Sequence, residues 1–106
     1  MPKYLLQASY SAEGAKGLLK DGGSKRRAAA KTLVESLGGK LDCFYFAFGK
    51  TDVFAVVDLP DSASAAAASL TVGASGAVAG RVTVLLTPEE IDQAAKKSTK
   101  YTPPGK

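Results

Sequence analysis

Four short segments of the chain are dense in aliphatic and aromatic side chains. Each is too short to form a helix of its own, and runs with this aromatic or β-branched composition are typical of strands. The two clearest are residues 41–48 and 52–59, and the three residues between them, Gly49-Lys50-Thr51, have the length of a hairpin connection. The other two predicted strands are residues 4–10 and 81–86.

Apolar residues recur at intervals of three and four in the segment between the first two strands, which predicts helices. Ser11 is placed to cap a helix over residues 12–20, and Ser24 is placed to cap a second helix. The apolar stripe of the second helix runs to Leu37, and Gly38-Gly39 predicts its end.

Two further helices are predicted in the second half of the chain. Asp61 is placed to cap an alanine-rich helix over residues 62–78. Thr87, Pro88 and Glu90 form the pattern of a capping box with proline at the first helical position, which predicts a helix that runs to about residue 97. Three of its apolar residues are expected to face inward: Ile91, Ala94 and Ala95.

The order of these elements is β-α-β-β-α-β followed by an extra C-terminal helix, which predicts an α+β fold of the ferredoxin-like type. Right-handed crossovers give a four-stranded antiparallel sheet with strand order 4-1-3-2 and with the helices on one face. We expect a single domain over residues 1–98, and a basic, flexible tail over residues 99–106.

Both faces of the predicted sheet carry apolar residues, although helices would cover only one. Strict alternation in the second strand sets Leu41, Cys43 and Tyr45 on one face, with Phe44 and Phe46 on the other. A solvated face of an antiparallel sheet should alternate polar residues, and an apolar patch of this size usually marks an interface. We therefore expect the second face to pack on another copy, in a homodimer or a higher homo-oligomer.

Composition excludes several kinds of site. The chain has no histidine and a single cysteine, Cys43, so a serine–histidine–aspartate triad, a histidine-ligated haem and an ordinary zinc site are excluded. We expect no cofactor and no metal. A lone cysteine forms no internal disulfide, and together with the absence of a signal-peptide pattern it predicts a cytoplasmic location.

The net charge of +4 is concentrated at the C-terminus. The last eleven residues hold four lysines and no acid, while the remainder has ten basic and ten acidic residues. A nucleic-acid-binding domain would carry its positive charge on a folded face. No apolar run approaches the roughly 20 residues that span a bilayer. We therefore expect no nucleic-acid partner and no membrane segment.

Several stretches together resemble the GYD-domain family. They are YLLQASYSAEGAKGLL, LGGKLDCFYFAFG, VVDLPD and RVTVLLTPEE, which extend over nearly the whole chain before the tail. Gly49 and Asp52 occupy the glycine and aspartate places of the family's signature, and Thr51 replaces its tyrosine. Asp58 stands where the family often has a glutamate. The resemblance implies a dimeric α/β barrel.

Three residues are candidates for ligand binding: Tyr45, Asp58 and Arg27. A carboxylate on an apolar strand needs a cation such as Arg26, Arg27 or Arg81, or its pKa would rise and suit a general base. Exposure at the sheet edge is the alternative explanation for Asp58. Gly49, with a positive φ, and Asp52 are expected to shape the hairpin turn rather than to contact a ligand.

Three functions remain open. The first is a binding protein for a small apolar or aromatic molecule, with its pocket in a homo-oligomeric α/β barrel. The second is a cofactor-independent oxygenase, isomerase or cyclase, for which no catalytic residue is assigned beyond the Asp58 hypothesis. The third is a structural subunit of a larger assembly, which the small-residue helix after Asp61 and the two apolar sheet faces would suit.

Overall fold

Four strands form one antiparallel sheet in the computed structural model, which describes residues 1–106. The strands are β1 (Lys3–Tyr10), β2 (Lys40–Phe46), β3 (Val53–Asp58) and β4 (Val78–Leu85), in the spatial order β2-β3-β1-β4. This is the predicted strand order, and the α+β fold with its ferredoxin-like arrangement is confirmed. The first strand is central, between β3 and β4.

Four helices accompany the sheet: α1 (Ala12–Asp21), α2 (Gly23–Ser36), α3 (Ser62–Ala74) and α4 (Pro88–Ala95). Ser11, Asp61 and Thr87 accept hydrogen bonds from helix N–H groups as predicted, and Glu90 completes the capping box of α4. The predicted cap at Ser24 is wrong. Gly22, with φ of 82°, ends α1 and immediately precedes α2, so Ser24 lies inside the helix.

The alanine-rich helix ends earlier than predicted, and β4 begins earlier. Helix α3 stops at Ala74, and Gly76 has a φ of 73° in the turn that follows. Strand β4 then pairs with β1 along its whole length, from Tyr10–Val78 to Lys3–Leu85. Backbone pairing with the central strand therefore wins over helix propensity at Val78, and β4 also includes residues 79 and 80, which the sequence pattern assigned to neither element.

A β-bulge in β2 changes which side chains share a face. Leu41 pairs with Val57, but Cys43 pairs with Val56, so one residue is inserted between them. The prediction that Leu41, Cys43 and Tyr45 share a face is wrong, because a bulge shifts the alternation by one position. Leu41 and Phe44 lie on the helix-covered face, while Cys43 and Tyr45 lie on the opposite face.

The core lies between the sheet and helices α2 and α3. Its largest fully buried side chains are Tyr4, Val34, Val57 and Leu59. Helix α2 packs over β2 and α3 packs over β4, and the two helices make few contacts with each other. Only nine residues are buried, so a large apolar area of this chain stays accessible.

The second face of the sheet and the last helix have no partner within the chain. None of the residues on the second face is fully buried, and Phe54 and Tyr45 are exposed there. Every residue of α4 is exposed, so the prediction that Ile91, Ala94 and Ala95 face inward is wrong for the isolated chain. The chain extends over 56 × 33 × 23 Å. None of its helices has the length and apolar character that a membrane crossing requires.

Candidate functional site

An apolar cavity of about 160 Å³ lies where α2 and α3 stand apart over the sheet, and we call it the α2–α3 cavity. Sixteen of its 21 lining residues are hydrophobic. The helices contribute small side chains at this point, among them Ala29, Ala30 and Ala68, so they do not fill the space above Ala8 and Ala55. An apolar cavity of about 150 Å³ is large enough to hold a benzene-sized molecule.

One charged side chain of α2, Arg26, borders this cavity. It is half-buried, and all four ion pairs of the chain are made by lysines, so Arg26 has no carboxylate partner. Tyr10 and Ser69 also line the cavity. The arrangement combines an apolar interior with an arginine that is free to hold the polar end of a bound molecule.

Arg26 was not among the predicted ligand residues, although the sequence carried a signal for it. It precedes Ala30 by four residues and Leu33 by seven, so it continues the buried stripe of α2 toward the helix start. Arg27, one position further on, lies on a different side of the helix.

Two of the predicted ligand residues, Arg27 and Tyr45, border a second depression of about 540 Å³. We call it the α2–β2 recess, because it is formed by α2 residues Ser24, Arg27, Ala28 and Lys31 and by β2 residues 41–45. Tyr45 is 67% exposed, and its side chain lies on the face of the sheet that α2 does not cover. The third predicted ligand residue, Asp58, lines neither this recess nor the α2–α3 cavity.

Asp58 is held by a lysine instead of an arginine. The ammonium of Lys3 donates to Asp58 Oδ1 at 2.9 Å and also to Asp42, so the expected pairing with Arg26, Arg27 or Arg81 is wrong. The β1–β3 register brings Lys3 opposite Asp58. Hydrogen bonds to Asp42 and Asp58 raise the pKa of Lys3 to about 12, and the hydrogen bond from Lys3 lowers the pKa of Asp42. The cluster ties the ends of three strands together.

Asp52 connects the hairpin to the central strand. Its carboxylate accepts the N–H of Tyr10 at 2.8 Å, its own N–H donates to Ala8 O at 2.9 Å, and its carbonyl accepts the N–H of Ala47 at 2.8 Å. These three bonds give Asp52 the turn-shaping role that the sequence predicted.

Gly49 differs from its prediction. The connection between β2 and β3 comprises residues 47–52 and is longer than a tight turn. Gly49 does not have a positive φ, and a Cβ added to it would meet no atom within 4 Å. The expectation that this glycine supplies a left-handed conformation is therefore wrong, because the longer loop turns without one.

No three or more histidine, cysteine, aspartate or glutamate side chains are grouped so that they could hold a metal ion. The carboxylates that come close together, Asp42 and Asp58, are bridged by Lys3.

Comparison with known proteins gave one match. The model of the family described as GYD domain matches residues 4–95, a range that extends from β1 to the end of α4. No curated protein and no solved structure matches the chain.

Proposed function

Because the chain belongs to the GYD-domain family, we propose that it binds a small apolar or aromatic molecule in the α2–α3 cavity. The observation that supports this proposal is an apolar cavity of about 160 Å³ that the side chains of the protein do not fill. Apolar cavities with a few polar groups at the edge are the usual form of small-molecule sites.

Arg26 supplies the polar contact of the proposed site. It borders the cavity without an ion-pair partner, so an anionic or hydrogen-bonding group on the ligand would gain a charge-assisted hydrogen bond there. The apolar body of the ligand would lie against Ala30, Leu33 and Val72. Binding would then combine burial of apolar area with a single orienting contact.

The test is binding of benzoate, an aromatic carboxylate with a single ring, measured by titration calorimetry. Ala30→Leu is expected to weaken binding at least about tenfold, because the larger side chain occupies the cavity. Ala66→Leu is the matched control, since Ala66 is an exposed alanine of α3 that does not line the cavity. Equal affinity for the wild-type chain and Ala30→Leu would contradict the proposal, as would the absence of any bound small molecule.

We also propose that the site functions in a homodimer formed by the uncovered face of the sheet. Leu5, Phe54 and Val56 give this face an apolar centre with no helix over it. Exposed apolar patches of a few hundred Å² or more mark interfaces, and a chain with nine buried residues gains core by association. Packing of two such faces would produce the α/β barrel that the family resemblance implies.

Sedimentation equilibrium tests this dimer. Phe54→Lys is expected to shift the wild-type dimer to monomer, because it sets a charge in the centre of the proposed interface. Leu19→Lys is the control, since Leu19 is 87% exposed on α1 and away from the sheet face. A wild-type chain that is monomeric at every concentration would contradict the proposal.

The Lys3 ion pair bears on the enzymatic alternative. It gives Asp58 a structural partner, so no observation specifically favours an oxygenase, isomerase or cyclase with Asp58 as its base. We keep ligand binding as the proposed function.

A further inference from the structure

The two ends of the α2–α3 cavity differ because α2 runs lengthwise along β3. The helix begins near Phe46, whose ring would lie 2.9 Å from a Cβ on Gly23, and Phe46 pairs with Val53 at the start of β3. Further along α2, Val34 belongs to the same buried cluster as Leu59, which follows the other end of β3. The cavity residues of α2 are therefore spread from the start of β3 to its end.

Arg26 lies at one end of this cavity and Val34 closes the other. The lining residues of α2 are 26, 29, 30, 33 and 34, which form one stripe of the helix. Eight residues separate Arg26 from Val34, or about 12 Å along the helix axis. Val34 and Leu59 are 2% and 0% exposed, whereas Arg26 is half-buried. The cavity is thus closed at Val34 and reaches solvent beside Arg26.

Tyr10 lies at the same end of the sheet as Arg26. It is two residues beyond Ala8, which pairs with Val53, and it pairs with Val78 at the start of β4. Tyr10 also lines the cavity. The open end of the cavity therefore holds a guanidinium and a phenol, while the closed end is aliphatic.

The charged groups around the cavity favour an anion. No aspartate or glutamate lines it. Arg81 is also among the lining residues, but it alternates with Gly80 and Val82 on β4, so its side chain projects from the other face of the sheet. Arg26 is therefore the one cationic side chain on this side of the sheet that borders the cavity, and no carboxylate of the chain neutralises it.

The chemistry of a single arginine indicates which anion fits. The planar guanidinium binds a carboxylate through two parallel hydrogen bonds and balances its one negative charge. A phosphate monoester would bring nearly two charges, and the cavity has no second cation for it. Because the Arg26 end reaches solvent, a carboxylate bound there keeps part of its hydration, which limits the desolvation cost of the ion pair.

We propose that the α2–α3 cavity selectively binds a monocarboxylic acid whose apolar body has the size of one ring. The carboxylate lies on Arg26, and the ring points toward Val34 and Leu59. A cavity of about 160 Å³ holds one ring of this size. This inference rests on the proposed ligand-binding function and assigns it one class of ligand, to the exclusion of amines, neutral aromatic molecules of the same size and bicyclic acids.

Titration calorimetry with compounds that share one ring tests the charge. Benzoate is expected to bind the wild-type chain at least about tenfold more tightly than benzamide, its neutral isostere, and benzylamine should bind more weakly than either. Arg26→Gln should lower the affinity for benzoate about tenfold and leave that for benzamide unchanged, which also shows that the variant is folded. Arg27→Gln is the matched control, because Arg27 is the neighbouring arginine, has no ion pair and does not line the cavity.

A longer acid tests the orientation. 4-Phenylbenzoate adds a ring opposite the carboxylate, and it is expected to bind at least about tenfold more weakly than benzoate because Val34 and Leu59 close that end. The proposal is overturned if benzamide or 4-phenylbenzoate binds as tightly as benzoate, or if Arg26→Gln and Arg27→Gln change benzoate binding equally.

These outcomes are distinct from failure of the proposed function. If Ala30→Leu weakens the binding of benzoate and benzamide alike while the two bind the wild-type chain equally, the cavity binds ligands and only the assigned class is wrong. If none of these compounds binds the wild-type chain, the proposed function and the ligand class are both contradicted.

Discussion

At the scale of single residues, Asp52 has the clearest structural role. Asp52→Ala removes the acceptor of the Tyr10 N–H, a half-buried backbone donor. We expect the free energy of unfolding to fall by about 1–3 kcal/mol, because the donor loses its partner. Urea denaturation monitored by circular dichroism measures this change.

Gly49→Ala is the matched substitution in the same loop. It should change stability by no more than about 0.5 kcal/mol, since Gly49 lacks a positive φ and its neighbourhood is open. A larger loss of stability for Gly49→Ala than for Asp52→Ala would mean that the glycine, and not the aspartate, fixes the shape of this loop.

The Lys3 cluster makes stability depend on pH in two ranges. The raised pKa of Lys3 means that its contribution is complete below the ordinary value of 10.5 and is lost as the pH rises through about 12. The lowered pKa of Asp42 means that its contribution is present above 3.8 and is lost as the pH falls through the lower folded value. Lys3→Gln is expected to lower the free energy of unfolding slightly near neutral pH. It is also expected to reduce the loss of stability at both high and low pH.

Urea midpoints measured across the pH range check this prediction. Lys16→Gln is the control, because the ion pair of Lys16 with Glu13 lies on the surface of one helix. Identical pH profiles for Lys3→Gln and the wild-type chain would contradict it.

The sequence predicted that Asp58 needs a cation but could not identify it. Lys3 is 55 positions away, and only the β1–β3 register brings the two residues opposite each other. That Arg26, and not Arg27, borders the α2–α3 cavity could not be predicted for a related reason. Adjacent positions of a helix point to different sides, and the rotation of α2 over the sheet decides which arginine borders the cavity.

At the scale of elements, the contact of α1 with the start of β4 depends on Gly14. A Cβ at this position would lie 2.1 Å from Ala77 O and 2.9 Å from Tyr10 Cδ1. Gly14→Ala is therefore expected to destabilise the protein by about 1–3 kcal/mol, because backbone atoms must move.

Gly17 in the same helix serves as the comparison. A Cβ there meets nothing within 4 Å, so Gly17→Ala should stabilise the helix by about 0.5–1 kcal/mol. Thermal unfolding of the two variants should show opposite shifts. If Gly17→Ala also destabilises the protein, the sensitivity of α1 to substitution has a cause other than the contact with Ala77.

Element order, strand order and three helix caps followed from the sequence, because each depends on local composition and on general rules of chain connection. The bulge in β2 could not be predicted, since no residue at positions 41–43 indicates that the strand holds an inserted residue. The exposed position of α4 could not be predicted from the sequence either. Its apolar residues predicted burial, but the monomer has no element that covers Ile91.

At the scale of the whole molecule, the fold of the sheet and the first three helices should be independent of α4. A chain that ends at Leu86 lacks α4 and the tail, which contribute no buried residue. We expect its free energy of unfolding, measured as a monomer, to change by no more than about 0.5 kcal/mol.

A chain that lacks only residues 96–106 is the control for this truncation, because it keeps α4. Differential scanning calorimetry of both chains provides the comparison. If the chain that ends at Leu86 does not fold, α4 is part of the cooperative folding unit.

The central position of β1 has a consequence for synthesis on the ribosome. The first strand to be made pairs with β3 and β4, and the pairing of Lys3 with Leu85 joins residues near the two ends of the domain. Contacts so distant along the chain form slowly, because the intervening loop must close first. The nascent chain therefore carries a hydrophobic strand with both edges unpaired until β3 emerges, and with one edge unpaired until β4 does.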